Sequence, residues 1–224
     1  MRLFDQILSR LQKHYGRPAP PRITDPFQMI LHEKLAYLAP DEKRDAAFDA
    51  LRDRVGLTPE AILKASPKTL LEITRMGGIH AELRAERLRE AAHLTLDKFS
   101  GDLRSVLALP EKQARWALKQ FPMIGDPGAE KILLFSKTVP VLALESNGLR
   151  VLARIFFGQE HKNYSTTYRM VRDAVKSDTG SDCGRLITAH QLLRRHGQTL
   201  CKTTRPACTA CPAADLCAFQ RANA

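Results

Sequence analysis

The chain has 224 residues, enough for one large domain or two small ones, and 44% of them are hydrophobic. Glycine and proline are scattered, which excludes a disordered or low-complexity chain. The formal net charge is +11, and from Arg150 onward 12 Lys/Arg stand against 5 Asp/Glu. Such an excess points to a polyanionic partner, most often nucleic acid, with a merely soluble basic surface as the alternative.

The N-terminal segment MRLFDQILSRLQKHYG has apolar residues at helical spacing. Asp5, Arg10 and Lys13 interrupt it, so it is not expected to be a signal peptide. No apolar run approaches the roughly 18 residues that a membrane span needs. The expectation is a cytoplasmic chain without a membrane partner. Seven further segments carry the 3.6-residue period: DPFQMILHEKLAYLA, PDEKRDAAFDALRDRVG, TPEAILKAS, SPKTLLEITRMGG, AELRAERLREAAHLTLDKF, PEKQARWALKQF and PGAEKILLFSKT. Most open with Ser, Thr, Asp or Pro, as helix starts do. VPVLALES is read as a buried extended connector, because one strand cannot make a sheet. The predicted class is all-α.

Four of the five cysteines fall at Cys201, Cys208, Cys211 and Cys217, spaced C-x6-C-x2-C-x5-C. In a reducing compartment such clustering reads as metal ligation before disulfides. Zinc sites favour two knuckles separated by a longer spacer. One tight wrap suits a [4Fe-4S] cluster, whose four irons each take one sulfur. Zinc, and disulfides or idle thiols, remain as alternatives. Cys183 stands apart and reads as a buried helix residue.

With HGQTLC before it, this spacing resembles the cluster loop of endonuclease III and of the MutY-type adenine glycosylases. These are DNA base-excision enzymes of the helix-hairpin-helix superfamily. The resemblance runs through nearly the whole chain. It implies a two-lobed all-α fold, with a helical barrel over residues 22–136 and a cluster lobe formed by 1–21 and 137–224. It also implies a double-stranded DNA partner and a monomer. Lys202 and Arg205 occupy the loop that faces DNA phosphates in that family, unless they are plain solvated charges.

FPMIGDPGAEKILLF resembles the family's hairpin, which presents backbone N–H groups to a phosphate through small residues. Ile124, Gly125 and Gly128 take those positions. Met123 stands where a glycine is usual, and Asp126 is expected to N-cap the following helix with Pro127 at its first position. Bifunctional members carry a nucleophilic lysine where this chain has Pro127, so strand cleavage through a Schiff base is not expected. Lys131, one helical turn on, is expected to point elsewhere.

LALESNGLRVLAR resembles the segment holding the family's catalytic aspartate and places Glu145 there, although Glu145 alternatively only caps a helix. DPFQMILHEKLAYL resembles the MutY-type segment whose glutamate protonates the leaving base, which selects Glu33. If buried, Glu33 should have a raised pKa suited to a general acid; a surface or salt-bridged glutamate is the alternative. Tyr37 and Leu38 fall where relatives enter the DNA stack, or they are core. Ile79 and His80, in MGGIHAELRAERL, resemble the family's wedge loop. The expected function is hydrolytic excision of a damaged or mismatched base without lyase activity. The rival is a catalytically silent protein that binds lesions or DNA structures on the same scaffold.

Overall fold

The computed structural model describes residues 2–223. Twelve α-helices are found among them, and the only β-type pairing is a single bridge between Tyr37 and Gly78. The fold is all-α. It divides into two compact units, Met1–Pro21 with Leu133–Ala224, and Arg22–Ile132.

The second unit holds α2 (Pro26–Lys34), α3 (Asp41–Arg54), α4 (Pro59–Lys64), α5 (Pro67–Arg75), α6 (Ala81–Phe99), α7 (Glu111–Leu118) and most of α8 (Asp126–Phe135). Three of these helices start by the same device. Asp25, Thr58 and Ser66 each accept a hydrogen bond from the backbone N–H three residues on, with proline opening the first turn. The long α6 packs against α2, α4 and α5. Ile30, Leu31, Leu51, Ile62, Leu70, Ile73 and Leu88 are buried there, each worth roughly 2 kcal/mol of transfer free energy.

Helix α2 ends at Lys34, earlier than its apolar period predicts. Tertiary contacts stop it. The Tyr37 N–H donates to the Gly77 carbonyl at 3.0 Å, and the buried Arg84 guanidinium donates to the Leu35 carbonyl. Gly77 is obligatory here, because a Cβ would lie 1.7 Å from the Leu35 oxygen.

The first unit holds α1 (Leu3–Tyr15), α9 (Ser146–Phe157), α10 (Tyr164–Thr179), α11 (Cys183–Thr199) and α12 (Ala218–Ala222). Phe4, Ile7 and Leu11 of α1 are fully buried, as are Leu186 and Leu193 of α11. Helices α9 and α11 meet closely at Gly197, where a Cβ would come within 2.5 Å of the Asn147 carbonyl oxygen. The segment before α9 is buried from Val141 to Leu144 and belongs to no helix. His190 of α11 anchors it through Nδ1, 2.7 Å from the Ala143 carbonyl oxygen.

Candidate active site and cysteine centre

Glu145 ends the extended connector and caps α9. Its Oε1 accepts from the Gly148 N–H at 2.6 Å, and its Oε2 accepts from Asn147 Nδ2 at 2.8 Å. Each carboxylate oxygen keeps a second lone pair. The group is therefore oriented without being saturated. Behind it, Arg150 donates to Asn147 Oδ1 at 2.7 Å, to the Gly197 carbonyl at 2.9 Å and to the Cys201 carbonyl at 2.8 Å. A continuous hydrogen-bonded path thus joins the candidate carboxylate to the first cysteine of the C-terminal loop.

That loop wraps an apolar hollow lined by Cys201, Cys208, Cys211 and Cys217 with Val151, Ile155, Leu200 and Phe219. Arg154, buried on α9, donates to the Lys202 carbonyl at 2.7 Å and the Thr203 carbonyl at 3.1 Å, and its Nη1 lies 3.6 Å from Cys201 Sγ. His196 Nε2 lies 3.4 Å from Cys211 Sγ. Burial pushes the Cys201 thiol up, and pushes Cys211 to about 11. Cys201 and Cys211 in such surroundings ionise only against positive charge, as a metal supplies. Among the described residues, no three Cys, His or carboxylate groups form the set that would hold one metal ion. A single zinc would draw its sulfurs to about 2.3 Å from one point. The four sulfurs line one hollow, a donor set of the type that zinc or an iron-sulfur group takes. Cys183 does not join it. It opens α11 and is half-buried, not fully buried.

In the other unit, the hairpin Phe121–Gly125 leads into α8. Asp126 is the first residue of α8, so the helix starts one residue earlier than expected and Asp126 is not its cap. Its carboxylate pairs with Lys119 at 2.7 Å. Ile124 does not face outward. Its side chain is buried and its N–H donates to the Phe121 carbonyl at 3.0 Å, so neither is available to a phosphate. A helix's first turn leaves its amides without intrahelical acceptors. Here Gly125, Asp126 and Gly128 supply N–H groups, and Pro127 supplies none. Met123 adopts φ 67°, the conformation that favours glycine, and is exposed. Lys34, buried beneath, donates from Nζ to the Pro122 carbonyl at 2.5 Å; burial lowers its pKa to about 8.

Glu33 is half-buried, with 32% of its side-chain surface exposed, and pairs with Lys131 at 2.5 Å. Burial pushes its pKa up. The Lys131 ammonium, the Arg44 guanidinium and the Lys131 hydrogen bond outweigh burial and take it from 4.5 down to about 2. Of the two readings of Glu33, this is the salt-bridged carboxylate rather than the buried acid of raised pKa, and its partner is Lys131.

Two loop tips stand side by side in this unit. Leu38 takes φ 51° and is 79% exposed; Tyr37 and Ile79 are also exposed, and His80 takes φ 59°. The Tyr37 and His80 rings lie 5.9 Å apart. Arg84 ties the tips together, donating to the Gly78 carbonyl at 2.7 Å and the Ile79 carbonyl at 2.9 Å as well as to Leu35.

No protein-family model matches the chain. It is similar to endonuclease III of Thermotoga maritima, with 23% identity across 98% of this chain and 94% of that one. It is 26% identical over 85% of its length to the chloroplastic endonuclease III homolog 1 of Arabidopsis thaliana, about half of whose length it spans. The solved structure of a thermostable thymine-DNA glycosylase superposes with a TM-score of 0.76 at 18% identity, covering 98% of this chain and 95% of that one. The chain has the all-α fold of the endonuclease III-like DNA glycosylases.

Within that glycosylase frame, the structure gathers the predicted residues into separate groups. Glu145 and the four cysteines share one unit, joined through Arg150. Exposed Lys202 and Arg205 lie in the same loop, and Arg205 takes φ 51°. Glu33, the hairpin and the wedge tips share the other unit. Sequence reasoning missed Lys34 as the hairpin's support and Arg154 as the cysteine loop's clamp. Both are charged residues inside apolar helical stretches, which was the available signal.

Proposed function

We propose that this chain is a monofunctional DNA base-excision glycosylase, hydrolysing the N-glycosidic bond of a damaged or mismatched base in duplex DNA. The observation that carries this reading is Glu145. It is a carboxylate oriented by two hydrogen bonds, at the position where the superfamily resemblance puts the catalytic aspartate. Its negative charge stabilises the oxocarbenium-like sugar as the C1′–N bond breaks. A water adds at C1′ and gives up a proton. The electron pair leaves on the base nitrogen. Glu33, which the resemblance offers as the acid for the leaving base, is ionised in its pair with Lys131 and has no proton to give. Pro127 has no amine, so the Schiff-base route lacks its usual nucleophile.

Lys202, Arg205 and the amides of Gly125 and Gly128 grip phosphates, and Tyr37, Leu38, Ile79 and His80 fill the space of the extruded base. Cys201, Cys208, Cys211 and Cys217 hold a [4Fe-4S] cluster. When bound, that group supplies the positive charge four thiolates require and fixes the loop carrying Lys202 and Arg205.

The test is a panel of lesion- and mismatch-bearing duplexes, treated with alkali to reveal abasic sites. Product is expected from the native chain and a loss of at least about 100-fold from Glu145→Gln, with DNA binding kept. Lesion-dependent binding with no product on a broad panel would establish the silent binding protein instead. A covalent adduct trapped by borohydride would overturn the assignment of Pro127.

A further inference from the structure

A chain of polar groups runs from α1 to the cysteine hollow. The Tyr15 hydroxyl lies 3.0 Å from His196 Nδ1 and 2.9 Å from Thr199 Oγ1. On the far side of the same buried ring, Nε2 lies 3.4 Å from Cys211 Sγ. Thr199 Oγ1 also lies 2.8 Å from the Arg195 carbonyl oxygen. Arg195 also donates to the Tyr15 carbonyl at 3.2 Å, and its guanidinium sits over the Tyr15 ring at 4.8 Å. The edge-on His14 ring completes the surroundings at 4.5 Å.

A thiolate at the Cys211 end sets the direction of this chain. A ligating thiolate carries no proton and can only accept. A hydrogen bond at Cys211 therefore requires the proton on Nε2. Nδ1 of the neutral ring is then bare and needs a donor. The Tyr15 hydroxyl, 3.0 Å away, supplies it, and Thr199 Oγ1 in turn donates to the Tyr15 oxygen. The tyrosine thus fixes the tautomer that serves the sulfur, as outer residues do for metal-bound ligands.

We infer that Tyr15 and His196 form a hydrogen-bond relay that donates an N–H to the Cys211 sulfur, tuning and retaining the group the four cysteines hold. The inference rests on the cluster proposed above. Hydrogen bonds to cluster sulfurs favour the more reduced, more negative state, and so raise the reduction potential and resist oxidative loss. Tyr15 is a positioning residue here, acting through His196.

The experiment uses the full chain, purified without oxygen, with iron content and visible absorbance measured first. Tyr15→Phe keeps the ring beneath Arg195 and removes only the hydroxyl. Voltammetry should show its midpoint potential shifted downward, with the oxidised form favoured about fivefold at fixed ambient potential, the ordinary worth of one hydrogen bond. Cluster absorbance should bleach correspondingly faster under ferricyanide, which takes up the electron. In a His196→Gln background, where the amide N–H needs no tautomer, adding Tyr15→Phe should change nothing further. Equal potentials and bleaching rates in native and Tyr15→Phe protein, both loaded with iron, would overturn the relay and leave the cluster reading standing. Additive effects in the double variant would overturn it equally. Absence of iron from the native protein would overturn the cluster reading and the relay with it.

Discussion

Replacing Lys131 with methionine tests the electrostatic account of Glu33. The native carboxyl is held at about 2 against an ordinary 4.5. At about 1.4 kcal/mol per pKa unit the difference is about 3 kcal/mol. With a third of the Glu33 side chain and a quarter of the Lys131 side chain still facing water, solvent screening leaves about 1–2 kcal/mol to be measured. The sign follows from linkage. A carboxyl depressed in the folded state contributes stability that is fully present above 4.5 and is lost as pH falls from there towards 2. In Lys131→Met, burial stays and only Arg44 and His32 oppose it, so the pKa climbs toward or past 4.5. The assay is carboxyl 13C NMR, with Glu33→Gln assigning the resonance, together with urea unfolding at pH 7. Native Glu33 should show no titration down to pH 4. The variant should titrate above pH 4 and be less stable at neutral pH by the amount given. A native Glu33 that titrates above pH 5 would refute the reasoning and restore it as the general acid.

Gly77→Ala should destabilise the chain severely, by about 3 kcal/mol or more, because its Cβ lands on the backbone oxygen of Leu35 and neither strand of chain can yield. Thermal unfolding measures it. Gly125→Ala is the matched control, since its Cβ meets nothing closer than Pro127 Cδ at 3.8 Å; it should keep the native Tm and lose only affinity for DNA. Asp126→Asn removes a negative charge from the first turn of α8 and frees Lys119. Duplex affinity in fluorescence anisotropy should rise a few-fold at low salt, and the steepness of its salt dependence should increase by up to about one phosphate contact.

Helix starts were legible because they are local. Asp25, Thr58 and Ser66 find their N–H donors three residues away. The end of α2 was not, since the groups that stop it come from Gly77 and Arg84, on the far side of three helices. Glu33 failed for the same reason. Its apolar neighbours in sequence suggested burial, while the lysine that sets its charge is 98 residues away. The cysteine spacing stood out because a tight wrap needs consecutive chain. Its supports, Arg150, Arg154, His196 and Tyr15, are drawn from three helices and were legible only as residue types.

The hairpin's departures from the superfamily pattern act in one direction. Met123 puts a side chain where a phosphate approaches. Pro127 removes one amide from the first turn, and the Asp126 charge is only partly offset by an exposed lysine. Under the proposed function, a hairpin so built would hold a phosphate weakly. The chain's charge is distributed to match. From Arg150 onward the balance is 12 basic against 5 acidic residues, and Arg154 spends its guanidinium holding the carbonyls of Lys202 and Thr203 rather than facing solvent. Under the proposed function, the affinity that other members draw from the hairpin shifts in this chain to the C-terminal loop. The cysteine centre then matters to binding before it matters to any electron, because it keeps Lys202 and Arg205 in one place.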